Sequence, residues 1–251
     1  MLGAFGWRAL FQALAAASVA VAALIFLLVP EKALPGQGQT LRAQIAGFGR
    51  IFSAIAFWRI ALPLVVCHAV YQAMQGLWLA PWLYDVAGYA RPAVAGALFT
   101  AAVAYTAGSV FFGISGDRLA QAGISRMTTY KVGVLVSLAM FVILAAGVIT
   151  TGLSPVLAVY AFTSISVSLA YALLTPLFPP EMTGRVITAS NVLMFGTSFL
   201  FQWGIGAVLR LFPADGERYA GAGYATAFWI LVAMQAAVVL WLLPMRGREA
   251  D

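Results

Sequence analysis

The chain is dominated by seven apolar runs, about Trp7–Val29, Ala61–Tyr84, Pro92–Ile114, Thr128–Thr150, Pro155–Leu177, Val186–Phe212 and Gly223–Leu243. A helix needs about 20 predominantly apolar residues to cross the hydrocarbon core, and each run is near that length. Inside lipid the backbone must satisfy its own hydrogen bonds, which leaves only helices and closed barrels; long apolar runs between short polar breaks predict helices. The expected fold class is an all-α integral membrane protein with seven transmembrane helices. Hydrophobic residues make up 63% of the 251 positions and charged residues only 9%, against about a quarter charged in soluble domains. Proline agrees with the boundaries. Pro92 and Pro155 stand in first turns, where a missing N–H is tolerated, and Pro30, Pro213 and Pro244 follow last turns.

The basic residues orient these spans. Lys32, Arg42, Arg50, Arg59, Arg118, Arg126, Lys131, Arg185, Arg246 and Arg248 fall on one side, and Arg8, Arg91, Arg210 and Arg218 on the other. The positive-inside rule then predicts a cytoplasmic C-terminus and an external N-terminus, in a bacterial inner membrane. The net charge of +6 is thus topological, and the lipid bilayer, not nucleic acid, is the expected partner. An N-out first helix without its own leader is expected to follow something that inserts before it. The single cysteine, Cys67, excludes an internal disulfide and supplies no metal set, so no metal and no cofactor are expected.

Residues 30–60 form the long loop. Leu41, Ile45, Phe48, Phe52 and Ile55 recur there at helical spacing, which reads as an amphipathic helix on the cytoplasmic membrane surface; packing on neighbouring loops is the alternative. The expected organisation is a transmembrane helix at 1–29, this loop, a six-helix membrane domain at 61–243 and a cytoplasmic tail at 244–251.

Polar residues interrupt the spans in a pattern. His68, Gln72 and Gln75 lie at i, i+4, i+7 and share one helix face. Ser164, Ser168, Tyr171 and Thr175 form a second such stripe, and Asn191, Ser198 and Gln202 a looser third. Polar side chains at membrane depth are costly unless they face a wet cavity or another helix, so the stripes line a site or glue helices together. Small residues at Gly96, Thr100, Ala104 and Gly108, and at Thr129, Gly133 and Ser137, predict close helix approach. Spans two to four and five to seven read as two triplets, each opening with its most polar helix, as an inverted transporter repeat would.

Between the third and fourth spans runs Gly113-Ile114-Ser115-Gly116-Asp117-Arg118, followed by Gly123 and Arg126. This resembles the cytoplasmic G-x-x-x-D-R turn of the major facilitator superfamily, with a wider spacing from Arg118 to Gly123 than in the usual motif. Gly6-Trp7-Arg8 with Phe11 is similar to the start of that family's sixth helix. Pro180-Glu181-Met182-Thr183-Gly184-Arg185 followed by Asn191 resembles the start of its eleventh. The resemblance covers essentially the whole chain, as the last helix of the N-terminal half, the central loop and the six-helix C-terminal half.

It implies secondary active transport of a small solute by alternating access, with an N-terminal half as partner. His68, Tyr71, Gln72, Gln75, Ser164, Ser168, Tyr171, Asn191 and Gln202 would line the substrate cavity. Gly113, Gly116, Asp117, Arg118, Gly123 and Arg126 would form a cytoplasmic gate, with Glu181, Gly184 and Arg185 in a second cytoplasmic turn. If transport is coupled to protons, His68 is the midplane group that titrates near neutrality. The rival expectation is a truncated fragment with no activity of its own. A seven-helix receptor is remote, because the last span lacks a Schiff-base lysine. An enzyme is not expected: neither HExxH nor paired midplane carboxylates occur.

Overall fold

The computed structural model describes residues 2–29, 41–149, 151–214, 216 and 218–245. The regular elements among them are helical, and seven helices are long and apolar enough to cross a membrane. The chain divides into two units, Met1–Leu41 and Arg42–Asp251. The first unit holds α1, Leu2–Leu28, interrupted at Gly6 (φ 69°, ψ 162°). That left-handed backbone suits glycine alone, so the helix proper begins at Trp7, where the apolar run begins. Phe11, Leu14, Val21, Ile25 and Phe26 are exposed, as suits a helix whose solvent is lipid.

The second unit holds α2 (Leu41–Ser53), α3 (Ile55–Asp85), α4 (Arg91–Gln121), α5 (Arg126–Ala146), α6 (Ser154–Leu177), α7 (Thr183–Leu209) and α8 (Gly221–Leu242). Two of the spans change character midway. In α3 the α-helix Ile55–Ala73 gives way to a π turn, Met74–Trp78, before Leu79–Asp85. In α6 a 3-10 turn, Ile165–Ser168, follows Ser154–Ser164. Local chemistry sets several ends. Ser125 caps α5 by accepting the Thr128 N–H at 3.1 Å, and Gly147 closes it at φ 61°.

The predicted boundaries shift in instructive places. α3 starts at Ile55 rather than Ala61 and carries Pro63 within it, buried among neighbouring helices. α4 runs on to Gln121, through the segment expected to be a turn. Nothing from Ile114 to Leu119 breaks a helix, and the chain turns only where Gly123 supplies φ 86°. The second expected turn is likewise mostly helix: Glu181 lies in a 3-10 turn, and Gly184 and Arg185 belong to the first turn of α7. The loop segment 30–40 and the tail 246–251 lie outside the described residues.

Packing follows a pattern of exchange. α3 packs along α7, and α4 along α6; α6 also packs on α5, and α3 on α8; α5 meets α8, α4 touches α5, and α7 touches α8. α3 also packs on α6 and on α4, α6 touches α7, and α3 touches α5. Replacing α3, α4 and α5 by α6, α7 and α8, and the reverse, returns these pairs apart from the slight α3–α5 contact. The small-residue stripes make the closest of these contacts. A Cβ on Gly108 would sit 2.4 Å from the Phe162 carbonyl oxygen, and one on Gly133 would sit 2.2 Å from Ser166 Oγ. Gly96 faces open space.

The core has two clusters. One gathers Trp78, Trp82, Phe141, Tyr160, Tyr224 and Phe228 at the end of the bundle that carries Asp85. The other gathers Ile51, Phe57, Ile60, Tyr130, Val186 and Met245 at the opposite end. Outside them, Phe99, Val103, Val110 and Ile114 on α4, and Val192, Phe195, Phe199 and Trp203 on α7, form exposed apolar rows at helical spacing. α2 is amphipathic in a different register from the expected one. It turns Ile51 into the second cluster with Phe48 against it, while Ile45 and Phe52, and Ile55 at the start of α3, are exposed. One edge of this helix thus packs on the bundle and another faces outward.

Candidate functional site

The expected polar face of α3 lies beside two tyrosine-bearing helices. His68 and Gln72 are half-buried on one face of the regular part of the helix. Gln75 falls inside the π turn. Its Oε1 is buried and has no hydrogen-bond partner among the described residues. The neighbouring positions Leu64, Val65 and Leu79 are buried in packing.

Tyr71 is nearly enclosed. Its ring stacks on Tyr105 of α4, with centroids 4.8 Å apart and planes 4° from parallel. The edge of Tyr160 of α6 meets it at 5.6 Å. The Tyr160 hydroxyl is buried without a hydrogen-bond partner among the described residues. Neither Tyr105 nor Tyr160 was among the expected cavity residues. Tyr105 follows Ala104 in the small-residue stripe, so a phenol beside a close helix contact was the signal.

The α6 stripe divides at its 3-10 turn. Ser164 is buried and shares a hydrogen bond of 3.0 Å with Ser137 of α5, while its hydroxyl also donates to the Tyr160 carbonyl at 2.7 Å. It holds two helices together. Beyond the turn, the Tyr171 hydroxyl donates to Oδ1 of Asn191 on α7, joining two of the expected residues directly. Gln202 lies further along α7. Its backbone carbonyl accepts the Trp78 indole N–H at 2.9 Å, and its side-chain Nε2 is 3.3 Å from where a Cβ on Gly76 would stand. A glycine in the π turn therefore lets Gln202 approach the α3 backbone beside Gln75. Gln235 of α8 is a further residue missed from sequence: it is 1% exposed, with Nε2 unpartnered among the described residues.

Ser168 faces a separate open cleft of about 640 Å³. Gly113, Gly116 and Arg126 from the motif line it together with Ser109 and Thr175. A Cβ on Gly113 would meet nothing within 4 Å, whereas one on Gly116 would stand 3.5 Å from the Leu169 side chain. The motif and the α6 stripe thus share one groove. Arg118 is exposed near the end of α4, and Asp117 occupies the same last turns, its side chain outside the described residues. Glu181 and Gly184 are exposed. Arg185 lies across α2, with Nη1 2.8 Å from where a Cβ on Gly47 would stand, so that glycine admits the guanidinium.

Chemically the polar face of α3 carries no acidic or basic side chain other than His68 between its end turns. The charged side chains described in this unit stand within the first or last two turns of helices or between them. Amides, phenols, serine hydroxyls and one histidine remain, able to donate and accept hydrogen bonds. No group of three His, Cys, Asp or Glu side chains that could hold a metal occurs among the described residues. No known protein family and no curated protein matches the chain.

Proposed function

We propose that the chain is a half of a major-facilitator-like secondary transporter and moves a small solute across the membrane by alternating access. The observation that carries this reading is the exchange pattern of packing. Two triplets of antiparallel spans necessarily run in opposite senses through a bilayer, and their contacts, the slight α3–α5 one apart, interchange as an inverted repeat requires. A second feature supports it: α3 and α6, the first helices of the two triplets, are the spans of this unit with a π or 3-10 turn midway. Discontinuous helices at a repeat interface mark binding sites in such folds.

In this reading His68, Tyr71, Gln72, Gln75, Tyr171, Asn191 and Gln202 face the solute, and a second six-helix half covers them. The Gly113–Arg126 groove is the cytoplasmic gate, and the chain sits in a bacterial inner membrane with its C-terminus inside. Proton coupling, where present, uses His68. Cysteines placed singly at 68, 72 and 75 in a Cys67→Ser background, in native membranes, test the site. Reaction of these positions with a water-borne thiol reagent, with Val65→Cys inert, supports a wet cavity. Labelling at position 65 alone, or at none of the four, returns the stripe to helix packing.

A further inference from the structure

The π turn in α3 needs something to hold it. It accommodates one more residue per turn than an α-helix, and reversion to α geometry would rotate one side of the helix by about 100° relative to the other. Before the turn lie His68 and Gln72; within it lie Gln75, Gly76 and Trp78.

The segment beyond it, Leu79–Asp85, is fastened at both ends. At the near end the Trp78 indole donates to the Gln202 carbonyl at 2.9 Å, and its ring lies over Gly206, where a Cβ would stand 3.1 Å from Cζ2. At the far end the Asp85 carboxylate accepts the Tyr224 hydroxyl at 2.8 Å and the Tyr219 backbone N–H at 3.4 Å, through Oδ2 in both cases. Aromatic rings tie the two ends together, with Trp78 6.0 Å from Tyr219 and 6.4 Å from Tyr224.

We propose that Asp85 is a positioning residue: by anchoring the end of α3 to α8 and to the α7–α8 connection, it keeps the π turn in place and so sets Gln75 and Gly76 against Gln202. The carboxylate touches no expected solute contact. It acts through rotation, because with both ends of Leu79–Asp85 fixed the extra residue has nowhere to unwind. Transport itself enters only in the consequence, that solute-facing amides keep their spacing; the geometry stands or falls without it.

The test measures that spacing. Gly76→Cys and Gln202→Cys are paired in a Cys67→Ser background of the full chain, and bridged with a short bis-methanethiosulfonate reagent. The Trp78 anchor survives these changes, because its acceptor is a backbone carbonyl. A control pair, Ser137→Cys with Ser164→Cys, reads folding, since those hydroxyls lie 3.0 Å apart on other helices. Tyr224→Phe, which removes one hydroxyl and keeps the ring, should slow bridging between 76 and 202 by about tenfold and leave the control pair unchanged. Asp85→Ala should do the same or more, and Asp85→Asn, which retains an acceptor oxygen, should restore most of the rate. Unchanged bridging in Tyr224→Phe, or no recovery in Asp85→Asn, would overturn the assignment. Bridging is independent of flux, so a failed transport assay with the expected bridging pattern counts against the transport reading alone.

Discussion

Tyr71 and Tyr105 lie face to face, 4.8 Å between centroids and 4° from parallel, and so join the polar helix α3 to α4 beside the candidate solute face. An offset aromatic pair of this kind adds about 0.5–1.5 kcal/mol to the area it buries. Tyr71→Phe should keep that stack and leave thermal stability within about 0.5 kcal/mol. Tyr71→Ala should cost about 3–5 kcal/mol, because it also withdraws the ring from Tyr160. Thermal unfolding of the purified protein in one detergent distinguishes the two; equal losses would show that the hydroxyl, not the ring, is the important group.

Gly133→Ala should destabilise the bundle by about 1–3 kcal/mol, since the new Cβ would stand 2.2 Å from Ser166 Oγ and the helices must part. Adding Ser166→Gly should recover most of the loss. Gly96→Ala, whose Cβ meets nothing, should be neutral or slightly stabilising. A similar loss in Gly96→Ala would mean that approach distance does not govern these positions, since helix propensity favours alanine.

The Lys131 ammonium donates to the Leu243 carbonyl at 2.8 Å and also to the Met245 carbonyl, at the C-terminal end of α8. These carbonyls have no partner further along a helix, and a cation there also suits the helix dipole. Lys131→Met should therefore lower stability by about 1–2 kcal/mol, and hydrogen exchange at residues 239–243 should quicken. Unaltered exchange would reduce Lys131 to a topological charge.

Asp117→Asn should increase the labelling of a cysteine at Ser109, in the groove of the motif, more than Arg210→Gln does. Arg210 follows the last turn of α7, at the other end of the bundle. Equal labelling in both variants speaks against a gate at the end of α4.

A reporter fused at the C-terminus should stay cytoplasmic and one placed before Trp7 should be external. The basis is the count of ten basic residues against four on the two sides of the spans. A cytoplasmic reporter before Trp7 would reverse the assignment of the first span.

Much of the architecture was legible in the sequence because lipid is an undemanding reader. A span needs only length and low charge, and Pro92, Pro155, Ser125 and Gly147 mark ends through local backbone chemistry. Close approach at Gly108 and Gly133 was legible for a related reason, since a missing side chain is visible in the sequence itself. The motif was harder. Two glycines suggested a turn at Gly113–Arg118, but within α4 each keeps its backbone hydrogen bonds, and only Gly123 takes the left-handed conformation that a turn requires.

Helicity, the number of helices that can span a bilayer and the polar faces were all readable along the chain, because these depend on the period of one helix and its solvent. Tertiary structure decided what those faces meet. Ser164 and Ser168 share a stripe, yet the first is spent on Ser137 while the second opens on a groove. Tyr160 joins Tyr71, and a π turn takes in Gln75, although no local signal marks either outcome. Such features depend on distances between residues remote in the chain, and periodicity along one helix carries no record of them.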